Sequence, residues 1–114
     1  METKILQNQI TRKELAAMAA GQFGEWIKAV VDVERGIMAI GGELHADIGA
    51  VLLAQGSQLE DVWGINLYPN QKGDDWIEFN SMINVRPSQG NRSRGVEDPE
   101  MREKIRAVVK KWVV

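Results

Sequence analysis

Glu43, His45 and Asp47 are the first residues of this chain whose types and spacing suggest chemistry. At i, i+2 and i+4 they share one face if the segment is a strand. Imidazole and carboxylate together suit a metal site or acid–base work. The chain has a single histidine, however, and zinc sites commonly draw on two or three His or Cys ligands. A hydrogen-bonded surface pair is therefore the expected role of the cluster, and no metal is expected.

A second set lies on Trp76–Arg86, which reads as a strand. Ile77, Phe79, Ser81, Ile83 and Val85 share one face, and Glu78, Asn80, Met82, Asn84 and Arg86 share the other. An acid, two amides and a guanidinium on one face can hold a polar ligand, and Asn66 upstream adds a further amide. Downstream, Asn91-Arg-Ser-Arg-Gly95 resembles an anion-binding turn, because the arginine fork fits phosphate or carboxylate. The plainer role for Arg92 and Arg94 is pairing with acids of the same chain, such as Glu78 or Glu97. That role is expected, and anion binding stays open. The candidate binding residues are thus Glu43, His45, Asn66, Asn80, Asn84, Arg86, Arg92 and Arg94.

No motif names a reaction. Neither Gly-x-x-x-x-Gly-Lys nor Gly-x-Gly-x-x-Gly occurs. There is no nucleophile elbow and no cysteine nucleophile. No catalytic residue is assigned, no cofactor is expected, and enzyme activity is left open. A pI of 5.4 and few strand-borne aromatics argue against a nucleic-acid partner.

The elements that must position these residues begin with a helix. Thr11 and Glu14 fit a capping box, Ile10 and Leu15 a hydrophobic staple, and Gly21 the exit. Leu15, Met18, Ala19 and Phe23 recur on one helical face. Trp26–Val33 then alternates as a strand, Glu34-Arg-Gly36 supplies a turn, and Ile37–His45 returns, weakened at Gly41-Gly42. Residues 47–59 are ambiguous. Asp47 can cap a short helix ending at Gly56, or Ala50–Gln55 can be a strand. The strand is preferred because Val62–Tyr68 follows as a partner. With Trp76–Arg86 this makes a mostly antiparallel meander of four or five strands. The last helix opens on Asp98 as N-cap, Pro99 at N1 and Glu100 in the first turn, and carries Met101, Ile105, Val108, Val109 and Trp112 as an apolar stripe.

Four segments together resemble an uncharacterised family of short bacterial proteins, a domain of unknown function. They are Lys28-Ala-Val-Val-Asp-Val-Glu34, Gly41-Gly-Glu-Leu-His-Ala-Asp47, Trp63-Gly-Ile-Asn-Leu-Tyr-Pro69 and Asn91-Arg-Ser-Arg-Gly-Val-Glu-Asp-Pro99. The likeness spans nearly the whole chain and implies a bacterial, single-domain protein. It implies no activity, cofactor or catalytic residue.

At 114 residues the chain suits one domain, residues 1–114, with a core that needs no staple. The absence of cysteine points to a reducing, cytoplasmic setting. No signal-peptide pattern is seen, and no apolar run approaches the ~18 residues of a membrane helix, so no membrane partner is expected. Charge is split along the chain. Residues 1–85 hold 6 basic and 12 acidic side chains, whereas residues 86–114 hold 8 and 4. Opposite-signed halves attract one another within a fold or across a dimer.

These observations predict an α+β, two-layer domain with both helices on one face of the sheet. The helix-free face, with Trp26, Trp76 and Met82 near it, is the expected working surface of a non-enzymatic binding or self-associating module, and a homodimer is expected. The alternative is a small enzyme or anion-binding domain, with a polar site built from Glu43, His45, Asn66, Asn80, Asn84 and Arg86 and a small anionic ligand as partner.

Overall fold

Alternation along Ile27–Asp32 decides the layering. Ile27, Ala29 and Val31 point to one side of the strand and Lys28, Val30 and Asp32 to the other, and all but Lys28 are buried. In the computed structural model, which describes residues 2–114, this segment is β2, the centre of a five-stranded antiparallel sheet. It is flanked by β3 (Ile37–Ile40) and β4 (Val62–Leu67), with β1 (Lys4–Ile5) outside β3 and β5 (Ile77–Glu78) outside β4. The order is β1-β3-β2-β4-β5.

Helices α1 (Arg12–Ala20) and α3 (Pro99–Trp112) cover the face of Ile27, Ala29 and Val31. Leu15 and Ala19 of α1 and Ile105, Val108 and Val109 of α3 join Trp63, Ile65 and Leu67 of β4 in the larger core. The predicted helix starts are present. Thr11 and Glu14 close a reciprocal capping box, and the Asp98 carboxylate accepts the Glu100 N–H with Pro99 in the first turn. The last turn of α3 is tied to the β2–β3 turn, where Trp112 Nε1 donates to the Gly36 carbonyl at 2.8 Å. The α+β class, the antiparallel sheet and the C-terminal helix on one sheet face are all as expected.

Several expectations are corrected. Residues 45–54 form a helix, α2 (His45–Ala54), not a strand. Consequently β4 pairs with β2 rather than with a strand at 50–55, and the sheet is not a meander. Helix α2 also removes the helix-free face, because Ile48 and Leu52 pack on Val30, Ala39 and Val62. The fold thus has helices on both sides of the sheet rather than two layers. The apolar residues of α2 lie all round it, which hid its period from the sequence.

The strand expected at Trp76–Arg86 stops at Glu78. Beyond it the chain makes a 3-10 turn at Met82–Asn84 that presses onto β4 at Gly64. A Cβ built on Gly64 would lie 2.6 Å from the side chain of Ser81 and 3.1 Å from that of Ile83. The return strand β3 likewise ends at Ile40, because Gly41 and Gly42 both take φ of 89° and turn the chain off the sheet. Trp76 is not on the α2 side. It is buried in the larger core, with the Arg12 guanidinium 4.1 Å above its ring.

Candidate functional site

On the α2 side of the sheet, the apolar positions Val30, Gly64 and Val62 give way to polar ones at one end. By register Lys28 of β2 stands beside Asn66 of β4, and Asn66 stands beside Glu78 of β5. A cation, an amide and an anion thus form a row across three strands, about 5 Å from one to the next. This row is the floor of a cleft of about 500 Å³. One wall is the N-terminus of α2, with Leu44, His45 and Ala46, and the other is the segment Asn80–Ile83 with Arg94. Trp26 and Tyr68 close one end.

His45 is the first residue of α2 and is 9% exposed. Its Nε2 lies 2.8 Å from the Ile65 carbonyl. A carbonyl only accepts, so Nε2 carries the proton in the neutral ring and Nδ1 keeps a lone pair. Burial holds the His45 pKa below its ordinary value, and the charges of Lys28 and Arg94 push the same way. The Ile65 and Asn66 carbonyls pull against that shift. Neutral imidazole in this position can accept a proton or a hydrogen bond from a ligand.

Asn66 is 5% exposed, and its Nδ2 donates to Glu78 Oε1 at 2.8 Å and to the Asn80 carbonyl at 3.3 Å. Both partners are acceptors, so the amide orientation is determined and Oδ1 is its free end. That oxygen is buried without a hydrogen bond. Lys28 Nζ donates to the Glu43 carbonyl at 2.6 Å and sits above the rings of Phe23 and Trp26, at 5.3 and 5.8 Å from their centroids. Helix α2 begins without a side-chain cap at Leu44, so its first backbone N–H groups lie at the cleft, with Asp47 in the same turn.

The arginine-rich turn divides in two. The Glu97 carboxylate accepts the backbone N–H groups of Arg92 and Ser93 at 2.7 and 2.9 Å, and these bonds hold its pKa below the ordinary carboxylate range. An acid of the same chain therefore orders the turn, through the backbone rather than through the guanidinium groups. Arg92 points to solvent, whereas Arg94 reaches the cleft wall, its carbonyl accepting from Ser81 N–H and Asn84 Nδ2 and its guanidinium forming no hydrogen bond or ion pair among the described residues.

Of the residues singled out from the sequence, His45, Asn66, Asn80 and Arg94 meet at this cleft. Glu43 contributes only its carbonyl, to Lys28, and its side chain is exposed. The three-residue set Glu43, His45 and Asp47 does not share a face. Helix α2 starts at His45, and two residues along a helix are turned apart by roughly 200°. Asn84 and Arg86 are brackets for the backbone. Asn84 is fully buried against Gly64, and Arg86 lies 4.0 Å over the Trp63 ring while donating to the Leu59 and Val62 carbonyls. Trp26 and Met82, expected beside the working surface, also line the cleft, whereas Lys28 and Tyr68 escaped the sequence reading. The signal for Lys28 was a charge followed by the apolar run Ala29–Val31 of the central strand, opposite a polar residue of β4.

Among the described residues no helix is long and apolar enough to cross a membrane. A family model described as a protein of unknown function (DUF5674) matches residues 4–112. No curated protein and no solved structure matches the chain.

Proposed function

Because the chain belongs to the DUF5674 family of proteins of unknown function, no activity comes to it from relatives, and we propose from its geometry that it binds a small anionic molecule. The ligand sits in the cleft between Lys28, His45 and Arg94. One observation carries this reading: two cations and an uncapped helix N-terminus converge on a cleft whose lining holds a single acid, Glu78. Anions are stabilised at helix N-termini, and the arginine fork adds paired donors. A cytoplasmic, bacterial setting belongs to the same reading, since a chain without cysteine suits a reducing compartment.

Calorimetric titration at low salt with inorganic phosphate and small carboxylates tests it. At least one anion should bind. Arg94→Ala and Lys28→Ala should each weaken that binding roughly tenfold, the worth of one charge-assisted contact. Failure of every anion tested would sink the proposal. Labelled oligonucleotides serve as the contrasting probe and should show no salt-dependent binding.

A second reading, self-association, is favoured by the exposed apolar side chains Leu44, Leu53, Leu59 and Met82 on and beside α2. Light scattering across a dilution series decides it. A homodimer should return twice the 12.8 kDa chain mass, and a mass that stays at 12.8 kDa removes the idea.

A further inference from the structure

We infer that the ligand of this cleft is an aromatic carboxylic acid, with its carboxylate at Lys28 and Arg94 and its ring against Trp26 and Tyr68. The inference rests on the anion-binding reading and adds what the aromatic end of the floor supplies. A cleft of about 500 Å³ has the size that takes an organic molecule rather than a bare inorganic ion. An anion that fills it has an organic body, and the lining says what kind of body fits.

The aromatic residues of the chain divide by role. Trp63 and Trp76 are buried in the larger core, and Phe79 and Trp112 pack against it. Phe23 and Trp26 belong to neither core. They stack on one another instead, with ring centroids 4.3 Å apart and planes 12° from parallel. The Trp26 and Tyr68 rings lie 6.2 Å apart at 24°, and both are half-buried at the end of the cleft. Rings that the cores do not use, and that open into a cleft, keep apolar surface to bury against a ligand.

Strand register sets the distance between this surface and the cations. Lys28 is paired with Asn66 across β2 and β4, and Ile27 is paired with Leu67. Trp26 and Tyr68 stand at the next positions outward, so they form the adjacent rung on the same face of the sheet. Two residues along a strand span roughly 7 Å. The short linker of an arylpropionate covers that distance between ring and carboxylate. Lys28 joins the two ends. Its Nζ spends one of three donors on the Glu43 carbonyl and lies 5.3 and 5.8 Å from the Phe23 and Trp26 centroids. The carboxylate thus meets a cation that the aromatic cluster itself helps to hold. Inorganic phosphate or a small aliphatic acid occupies the cation end and leaves the aromatic end uncovered.

Three acids test the inference: 3-phenylpropionate, its saturated counterpart 3-cyclohexylpropionate, and propionate, which lacks the ring. Calorimetric titrations are run at low salt and pH 8, where His45 is uncharged, with inorganic phosphate as a fourth probe. Phenylpropionate should bind roughly tenfold tighter than propionate, through burial of its ring. It should bind about threefold tighter than the cyclohexyl acid, the part that an aromatic pair adds beyond area. Trp26→Ala should cut the first preference, and Trp26→Leu, which keeps apolar bulk without the ring, should remove the second. Arg94→Ala should weaken all three acids together. Propionate or phosphate binding as tightly as phenylpropionate overturns this inference and leaves the anion reading standing. So does a cyclohexyl acid that binds as well as the phenyl one, or a pair of preferences unchanged in the folded Trp26 variants. If neither variant folds, the wild-type ratios decide by themselves. Absence of binding by all four probes overturns both this inference and the reading beneath it.

Discussion

The side-chain amide of Asn84 takes the place of a strand beside Gly64. Asn84 Oδ1 accepts the Gly64 N–H at 2.8 Å, and Asn84 Nδ2 donates to the Gly64 carbonyl at 2.9 Å. A second bond from Nδ2, at 3.0 Å, reaches the Arg94 carbonyl. β5 has already ended at Glu78, so this one residue continues the edge of β4 and ties the arginine-bearing turn to it. Asn91 repeats the device one layer out, donating to the Asn84 and Gly95 carbonyls and accepting the Glu97 N–H. The position of Arg94 at the cleft wall follows from these two buried amides.

Asn84→Ala leaves the buried N–H and carbonyl of Gly64 without partners, while the Arg94 carbonyl keeps the Ser81 N–H. Each such group is worth about 1–3 kcal/mol, and partial relaxation brings the expected loss to roughly 2–5 kcal/mol. Denaturant midpoints measure it. Anion binding should weaken in the same variant under folding conditions, because the turn that carries Arg94 loses one of its two tethers and keeps only the Ser81 N–H. An Asn84→Ala protein as stable as the parent would show that the bracket is dispensable.

Two buried glycines should respond in opposite directions. At Gly64 a Cβ collides with Ser81, so Gly64→Ala should destabilise by about 1–3 kcal/mol, as overpacking does. At Gly49, inside α2, a Cβ would sit 3.9 Å from Ile83 and 4.0 Å from Val30, which is ordinary contact. Gly49→Ala should therefore stabilise by up to about 1 kcal/mol through helix propensity and a less flexible unfolded chain. Thermal unfolding of the two variants side by side reads both signs.

The last helix is part of the core. Ile105 is fully buried among α1, α3 and the sheet, so Ile105→Ala should lose ~2–5 kcal/mol. Asp98→Ala removes the bond to the Glu100 N–H and should lose roughly 0.5–2 kcal/mol. Unchanged denaturant midpoints for both would make α3 a peripheral attachment.

Stability should decline as the pH falls below the ordinary histidine value of 6.5. Burial lowers the His45 pKa in the folded state, so between the two values the unfolded chain holds a proton that the folded chain lacks. Stability then rises with pH across that window and is lost on acidification through it. His45→Gln removes the titration and should flatten this part of the curve. The measurement is unfolding free energy from pH 7.5 down to pH 5, and identical slopes for parent and variant would refute the assignment.

Local chemistry by itself determined the ends of α1 and α3. A capping box at Thr11 and Glu14, and Asp98 followed by Pro99, satisfy backbone donors within three residues and need no tertiary partner. β2 and β4 were also legible, as short, largely apolar runs bounded by turn residues, although both are buried on the two faces of the sheet. The helix at His45–Ala54 was not, since apolar residues all round it erase the period, and its burial against Val30 and Val62 is a long-range fact. The early end of β5 was hidden for the same reason: only when Gly64 lies opposite do Ser81 and Asn84 leave the strand path to pack and bond there. The site divides along this line. His45, Asn66, Asn80 and Arg94 were recognisable as residues able to do chemistry, but sequence cannot place residues 45 and 94 on facing walls. Strand register put Lys28, Asn66 and Glu78 in one row, and the buried amides of Asn84 and Asn91 brought Arg94 to it; both are contacts between positions far apart in the chain, which only the tertiary structure decides.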